Sequence, residues 1–278
     1  MDPRSRPYRS RIRLSAIRLF GALLAVFAQL GAGHEPPFPV GESLRARLTW
    51  GRIPVGEAMI ESEWTDDQPP LIRLRVHVRS NAFLDRFYRI DDVVESIVDP
   101  TTFLPIRFEK RLQEGGSLRH DITFYNREEG RVFWHNLLVP ERRDFPAPRD
   151  IRDILSLMYS LRSADFRPGQ TNWYVVSGDE GIITVGIDVN SHQTFEHPRY
   201  GRIPAYFIRP IVGNDPLFLG RIPRQLWISS DPPYVLLRLS VEAPVGRIHL
   251  TLDEILGHPR GPWPYRSTGS STDSHADR

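Results

Sequence analysis

Cysteine is absent from the 278 residues, and lysine occurs once, as Lys110. The first absence removes disulfides, thiol nucleophiles, cysteine metal ligands and any lipid attached through cysteine, so the core alone must hold the fold. The second leaves little for amine chemistry or lysine-based phosphate binding. No apolar run reaches the ~20 residues a spanning helix needs. Motifs of common enzymes are also missing. There is no phosphate-binding loop and no dinucleotide-binding glycine pattern. No serine sits in a G-x-S-x-G turn between strand and helix; Ser177 in "VVSGDEG" comes nearest and reads as the end of a strand entering a hairpin.

What is present is unevenly spread. Arg4, Arg6, Arg9, Arg11, Arg13 and Arg18 lead into an apolar run from Leu19 to Leu30, followed by Gly31, Ala32 and Gly33. That order predicts a secretory signal peptide over residues 1–33, cleaved after Ala32 or Gly33, and hence a periplasmic or extracellular protein. A retained membrane anchor is the rival, but the run is short for one. Six arginines against Asp2 give the segment +5 of a total of +2, leaving −3 for the remainder. The basic balance therefore belongs to the leader, and no nucleic-acid partner is expected. At the other end, "GHPRGPWPYRSTGSSTDSHADR" has almost no aliphatics, which predicts a disordered tail over 257–278.

Between them, residues 39–256 read as one all-β domain. Ile72, Leu74, Val76 and Val78 alternate with Arg73, Arg75, His77 and Arg79, the period of a half-buried strand. The same alternation runs through Leu44–Trp50, Ile106–Leu112, Ile183–Val189 and Val235–Val241. Short turns such as "EGGS", "REEG" and "SSDPP" join these runs as antiparallel hairpins. The expectation is a single antiparallel β-barrel or a strongly curved open sheet. One short amphipathic helix interrupts it over Asp150–Leu161, capped by Asp150 and packed through Ile151, Ile154, Leu155 and Met158, plugging an open end or edge.

The densest chemistry lies between Arg79 and Arg111. Asp85, Asp91, Asp92 and Glu95 occur there among aromatics and arginines. On one strand, Asp91 and Glu95 share a face about 13 Å apart, too far for an acid/base pair across one bond. Turn hydrogen bonds and arginine pairing are the expected fate of these acids. Among the histidines, His192 and His197 flank Glu196 without the helical spacing of a metal motif, and read as solvated loop residues. His77, His120 and His249 fall on separate strands and meet only if the fold brings them together. No catalytic residue, metal site or cofactor is therefore assigned. Phe83, Asp85, Phe87, Tyr88, Asp91 and Asp92 remain the candidate ligand contacts, with the three rings expected over the core or lining the mouth of a cavity. On that expectation Phe87→Ala destabilises more than substitution of Asp85.

Four stretches, "RLTWGRIPVGEAMIE", "RSNAFLDRFYRIDDVVESIVDPTTFLPIRFEKRLQEG", "DIRDILSLMYSLRSADFRPGQ" and "LWISSDPPYVLLRLSVEAPVGRIHLTL", together resemble the bacterial envelope family known as domain of unknown function 3108. The resemblance covers nearly all of residues 39–256, with 190–220 the hardest part to match. It implies an exported all-β domain of the cell envelope and no particular reaction. Three functional readings follow. The favoured one is a non-catalytic binding or carrier protein for a lipid or other apolar envelope ligand, held in a barrel cavity beside Phe83, Phe87, Tyr88 and Phe103. An envelope-assembly interaction protein without a small-molecule site is the alternative, and predicts exposed apolar surface or a free sheet edge. An envelope hydrolase rests only on the density of acids and histidines over residues 77–121.

Overall fold

The computed structural model describes residues 36–256 apart from 37, 180, 213–222, 232–233 and 244–245. The expected leader (1–33) and tail (257–278) lie outside the described residues. The alternating runs form fourteen strands: β1 (Ser43–Trp50), β2 (Ile53–Trp64), β3 (Ile72–Ser80), β4 (Asp91–Val98), β5 (Pro105–Glu114), β6 (Ser117–Asn126), β7 (Arg131–Asn136), β8 (Arg142–Pro146), β9 (Thr171–Ser177), β10 (Ile182–His197), β11 (Gly201–Val212), β12 (Gln225–Ser229), β13 (Leu236–Ala243) and β14 (Gly246–Leu256). They make one sheet in the order β8 to β1, then β14 back to β9. Every neighbouring pair is antiparallel, including β1 with β14. Strand directions therefore alternate without exception. The turns after β1, β3, β5, β7 and β9 fall at one end of the sheet, and the connections after β2, β4, β6, β8, β10 and β12 at the other.

The sheet curls but does not close by strand pairing, because β8 and β9 are terminal strands. The opening is spanned instead by the chain between them. Arg152 donates its amide to Val175 O at 3.0 Å and accepts from the Ser177 amide at 2.8 Å, a one-residue parallel bridge. Tyr125 on β6 reaches Ser177 on β9, hydroxyl to hydroxyl, at 2.6 Å. This is the curved open sheet expected from the alternation, with its edge blunted by a connector.

That connector carries the one α-helix among the described residues, α1 (Ile154–Ser160), followed by a 3-10 turn at Leu161–Ser163. It starts later than the sequence suggests. Residues before it are extended because Arg152 is engaged on β9, so the cap is Asp153, whose carboxylate accepts from the Ser156 amide while the Ser156 hydroxyl accepts from the Asp153 amide. Asp150 does not cap it. The buried side also differs: Leu155, Leu157, Tyr159 and, beyond the helix, Leu161 are buried, whereas Met158 is only half-buried. The reason is that α1 is flanked on several sides. Tyr159 joins the cluster of Ala46, Ile60, Ile72 and Leu237; Leu157 and Leu161 join Ile183–Val189 and Ile208; Leu155 and Ile151 join Phe108, Tyr125 and Val132. A single short helix thus ties three parts of one core together.

Two bulges redirect side chains that strict alternation misplaces. On β5 the register against β4 shifts between Arg107 and Pro105, so Ile106 turns out to solvent while Pro105 and Phe108 face in. On β10 the shift falls at Asn190. Before it, Val185, Ile187 and Val189 are buried on one face; after it, Phe195 and His197 are buried on the other. The β10–β11 hairpin consequently bends over the end of β14, where the Arg199 guanidinium meets Glu254 at 2.9 Å.

Candidate functional site

At the end holding the turns after β1, β3, β5 and β7, apolar side chains meet water. The β3–β4 loop is folded by Asn81, whose side-chain oxygen accepts from the Phe83 and Leu84 amides, both at 3.1 Å, in a single 3-10 turn over Leu84–Arg86. Asn81 also fixes the loop to its neighbour, donating its side-chain amide to Pro54 O at 2.8 Å. This geometry leaves Phe83, Phe87 and Tyr88 exposed by 44, 76 and 46 %. The three rings do not cover the core. Phe87 does not begin an alternating strand, because β4 starts only at Asp91. Phe83 and Phe87 pack edge to face at 6.0 Å. Tyr88 lies against Gly115 of the β5–β6 turn (φ 59°), where a Cβ would fall 2.9 Å from the ring.

The surface continues on both sides. Trp50 and Ile53 flank the β1–β2 turn, and the Trp50 indole lies over Gly246 at the start of β14. Beyond Tyr88 come Leu118 and then Leu137, Leu138 and Val139 of the β7–β8 turn, tied to β6 by the Leu137 amide on His120 O at 2.7 Å. The result is an exposed apolar rim over adjacent turns. Sequence reasoning missed its extent, although "NLLVP" in a hairpin turn was a legible signal, since turns normally carry polar residues.

The acids of the region are hydrogen-bonded or ion-paired. Ser80 donates its hydroxyl to Asp85. Asp92 faces inward and accepts the Gln113 amide at 2.9 Å. Asp91 faces outward; the hydrogen bond from His77 (2.7 Å), with Arg79 and Arg89 beside it, holds its carboxyl below the usual range. Glu95 pairs with Arg111 at 2.9 Å. His120 meets Glu109 at 2.8 Å; burial pushes Glu109 up, but His120, Arg107 and Arg111 outweigh it and hold it down. Both histidine–carboxylate pairs therefore exist, yet they sit on the outer face of the sheet. Among the described residues no hydroxyl is hydrogen-bonded to either imidazole, which is what nucleophilic catalysis would require.

The remaining histidines separate. His249 meets Ser240 at 2.7 Å. His192 stacks on Tyr206, and Glu196 pairs with Arg202 at 3.3 Å. His197 is buried, not solvated: its Nδ1 accepts from the Arg199 and Tyr200 amides and its Nε2 donates to Leu252 O at 2.8 Å. Burial pushes its pKa down, in keeping with this neutral tautomer. Phe103, expected near the helix-distal loops, lies at the opposite end: it takes a left-handed backbone (φ 53°), packs on Phe38 at 5.7 Å, and its carbonyl accepts from Arg152.

A second polar group, unforeseen from sequence, lines the seam. Lys110, Arg119 and Asp121 point to the inner face of β5 and β6, and both cations contact Asp179 of the β9–β10 turn, Arg119 at 2.6 Å. Burial pushes Asp179 up, but the two cations outweigh it and keep it ionised. The signal was available: Lys110 stands between inward Phe108 and Leu112, a charge at a core position. Two small hollows lie in this part of the sheet, one beside Tyr125 and Ile151 too narrow for a water and one of about 100 Å³ between Arg73, Glu95 and Arg107. Neither approaches the ~300–1,000 Å³ of a small-molecule site.

These features define a β-barrel-like protein: two antiparallel meanders joined through β1 and β14, plugged by a helix at one end and rimmed by exposed apolar turns at the other. The chain belongs to the family described as protein of unknown function (DUF3108), whose sequence profile matches residues 45–253. A solved structure, the beta-barrel-like protein of the domain of unknown function DUF1849 from Brucella abortus, is similar over 78% of this chain and 98% of that one, at 9% identity and a TM-score of 0.53. That likeness concerns the fold alone. No curated protein matches the chain. Among the described residues no helix is long and apolar enough to cross a membrane.

Proposed function

We propose that this protein is an exported, non-catalytic interaction protein of the cell envelope that docks through the apolar rim. One observation carries the reading: exposed aromatic and aliphatic side chains gather on adjacent turns at one end. That exposed surface is what the assembly reading expects, since a docking partner needs a surface. Export rests on the arginine-rich start, the short apolar run and the small-residue exit.

A photo-reactive amino acid in place of Phe87 tests the docking surface in cells. Crosslinks from position 87 and none from Trp64, exposed at the opposite end, are expected; no crosslink from position 87 would overturn the reading. Sequencing the mature N-terminus tests export, with Gly33 or His34 expected first. An intact Met1 in the membrane fraction would mean the segment is an anchor.

A further inference from the structure

The chemistry of the rim narrows what docks on it. The geometry points to an anionic phospholipid surface, engaged by the β1–β2 and β3–β4 turns through Ile53, Phe83, Phe87 and Tyr88 with Arg52 and Arg86. This rests on the reading of the rim as a docking face and names its partner.

The two turns are joined through Asn81 and leave their apolar side chains exposed, Phe87 being the most exposed large apolar residue among those described. Rings at loop tips insert at shallow depth, where a bilayer accepts aromatic side chains. Charge follows the same pattern. Behind the tips Asp91 is paired with His77, Arg79 and Arg89, while Asp85, beside Arg86, accepts from the Ser80 hydroxyl, so the two arginines outnumber the one carboxylate on the tips. Arg52 and Arg86 stand exposed on the tips themselves and pair with no carboxylate among the described residues. An aliphatic stem below a free guanidinium is suited to reach past buried rings to a phosphate. A folded protein partner would equally accept the rings, but it gives no reason for unpaired arginines beside them.

Absence of cysteine makes the test clean. Phe87→Cys and, as control, Trp64→Cys are introduced singly into the full chain and labelled with an environment-sensitive dye. Vesicles of phosphatidylcholine, with or without phosphatidylglycerol and carrying a lipid-borne quencher, are then titrated in. Dye at position 87 is expected to be quenched far more by the phosphatidylglycerol vesicles, and dye at position 64 hardly at all. Arg52→Glu and Arg86→Glu should each weaken that response at least about fivefold, the factor corresponding to ~1 kcal/mol for one arginine at an anionic surface. Equal quenching at both positions, or none at position 87, overturns the lipid assignment. If position 87 is silent with lipid but crosslinks to a protein in cells, the docking face stands and only its lipid partner falls. If it is silent in both, both readings fall.

Discussion

The two ends of this sheet receive the same kind of turn and treat apolar side chains in opposite ways. At the helix end, Phe38 packs on Phe103 and on Tyr159 at 4.6 Å, and α1 covers them. One ion pair there is also withdrawn from water: Arg162 holds Glu42 in a two-point pair, with its second bond at 3.1 Å, and donates Nε–H to Tyr234 O at 2.7 Å. At the rim, equally large rings are 44–76 % exposed and touch only each other or a neighbouring turn. Stability and surface recognition are thereby assigned to different ends. Changes at the helix end should unfold the protein, whereas changes at the rim should leave it folded.

The largest effect is expected at Glu42 and Arg162, both nearly fully buried. Arg162→Met strands a carboxylate in the core and should cost ~3–5 kcal/mol in denaturant unfolding. Pairing it with Glu42→Leu should recover much of that, because an apolar pair leaves no orphaned charge. A double variant as unstable as the single would mean that packing, not charge, sets the cost.

Asp153 makes the helix end sensitive to pH. Burial raises its pKa to about 6, against the hydrogen bonds from Ser96 (2.6 Å) and Ser156. A carboxyl raised in the fold takes up a proton on folding between its ordinary value and 6. Its contribution is therefore greatest below about pH 4 and falls as pH rises to about 6, by on the order of 3 kcal/mol. Asp153→Asn keeps an acceptor for the Ser156 amide and should flatten that slope in urea melts taken from pH 4 to 7. An unchanged slope would place the titration elsewhere. His197 acts in the opposite sense and more weakly. Its depressed pKa gives stability that is present above its ordinary titration range and lost as pH falls through the lower folded value. His197→Gln should remove that acid-side loss.

The physics of legibility follows the same division. Alternation marked the β1, β3 and β10 strands because one face of each is buried, and period two is then enforced residue by residue. It failed at Ile106 and beyond Asn190, where a bulge changes which face is buried without changing the local composition. The helix was visible, but its start was not, because Arg152 on β9 decides where helical backbone can begin. The acids near Asp91 were read as paired, and they are. The inner group of Lys110, Arg119, Asp121 and Asp179 depends on a turn 69 residues from Lys110, a distance no local pattern spans. Rim aromatics were named and their loop expected at one end of the sheet, but the rings do not cover the core and Phe87 does not open β4, since a ring next to a strand has the same sequence signature as a ring within one.

The smallest effect expected is at Phe87, and there the comparison between the ends is sharpest. A buried aromatic cut back to alanine costs ~3–5 kcal/mol. Phe87 is 76 % exposed and touches mainly Phe83, so Phe87→Ala should change unfolding free energy by no more than ~0.5 kcal/mol. Asp85→Ala should cost at least as much, about 0.5–1.5 kcal/mol, because it removes the acceptor that holds Ser80 at the mouth of the loop. The order is the reverse of what residue type alone suggests. Measured side by side in urea, a Phe87→Ala loss near 3 kcal/mol would mean that the ring is packed in solution and that the rim is not a free surface. A loss within the noise, beside weakened co-sedimentation of the same variant with phosphatidylglycerol vesicles, separates recognition from stability at this end.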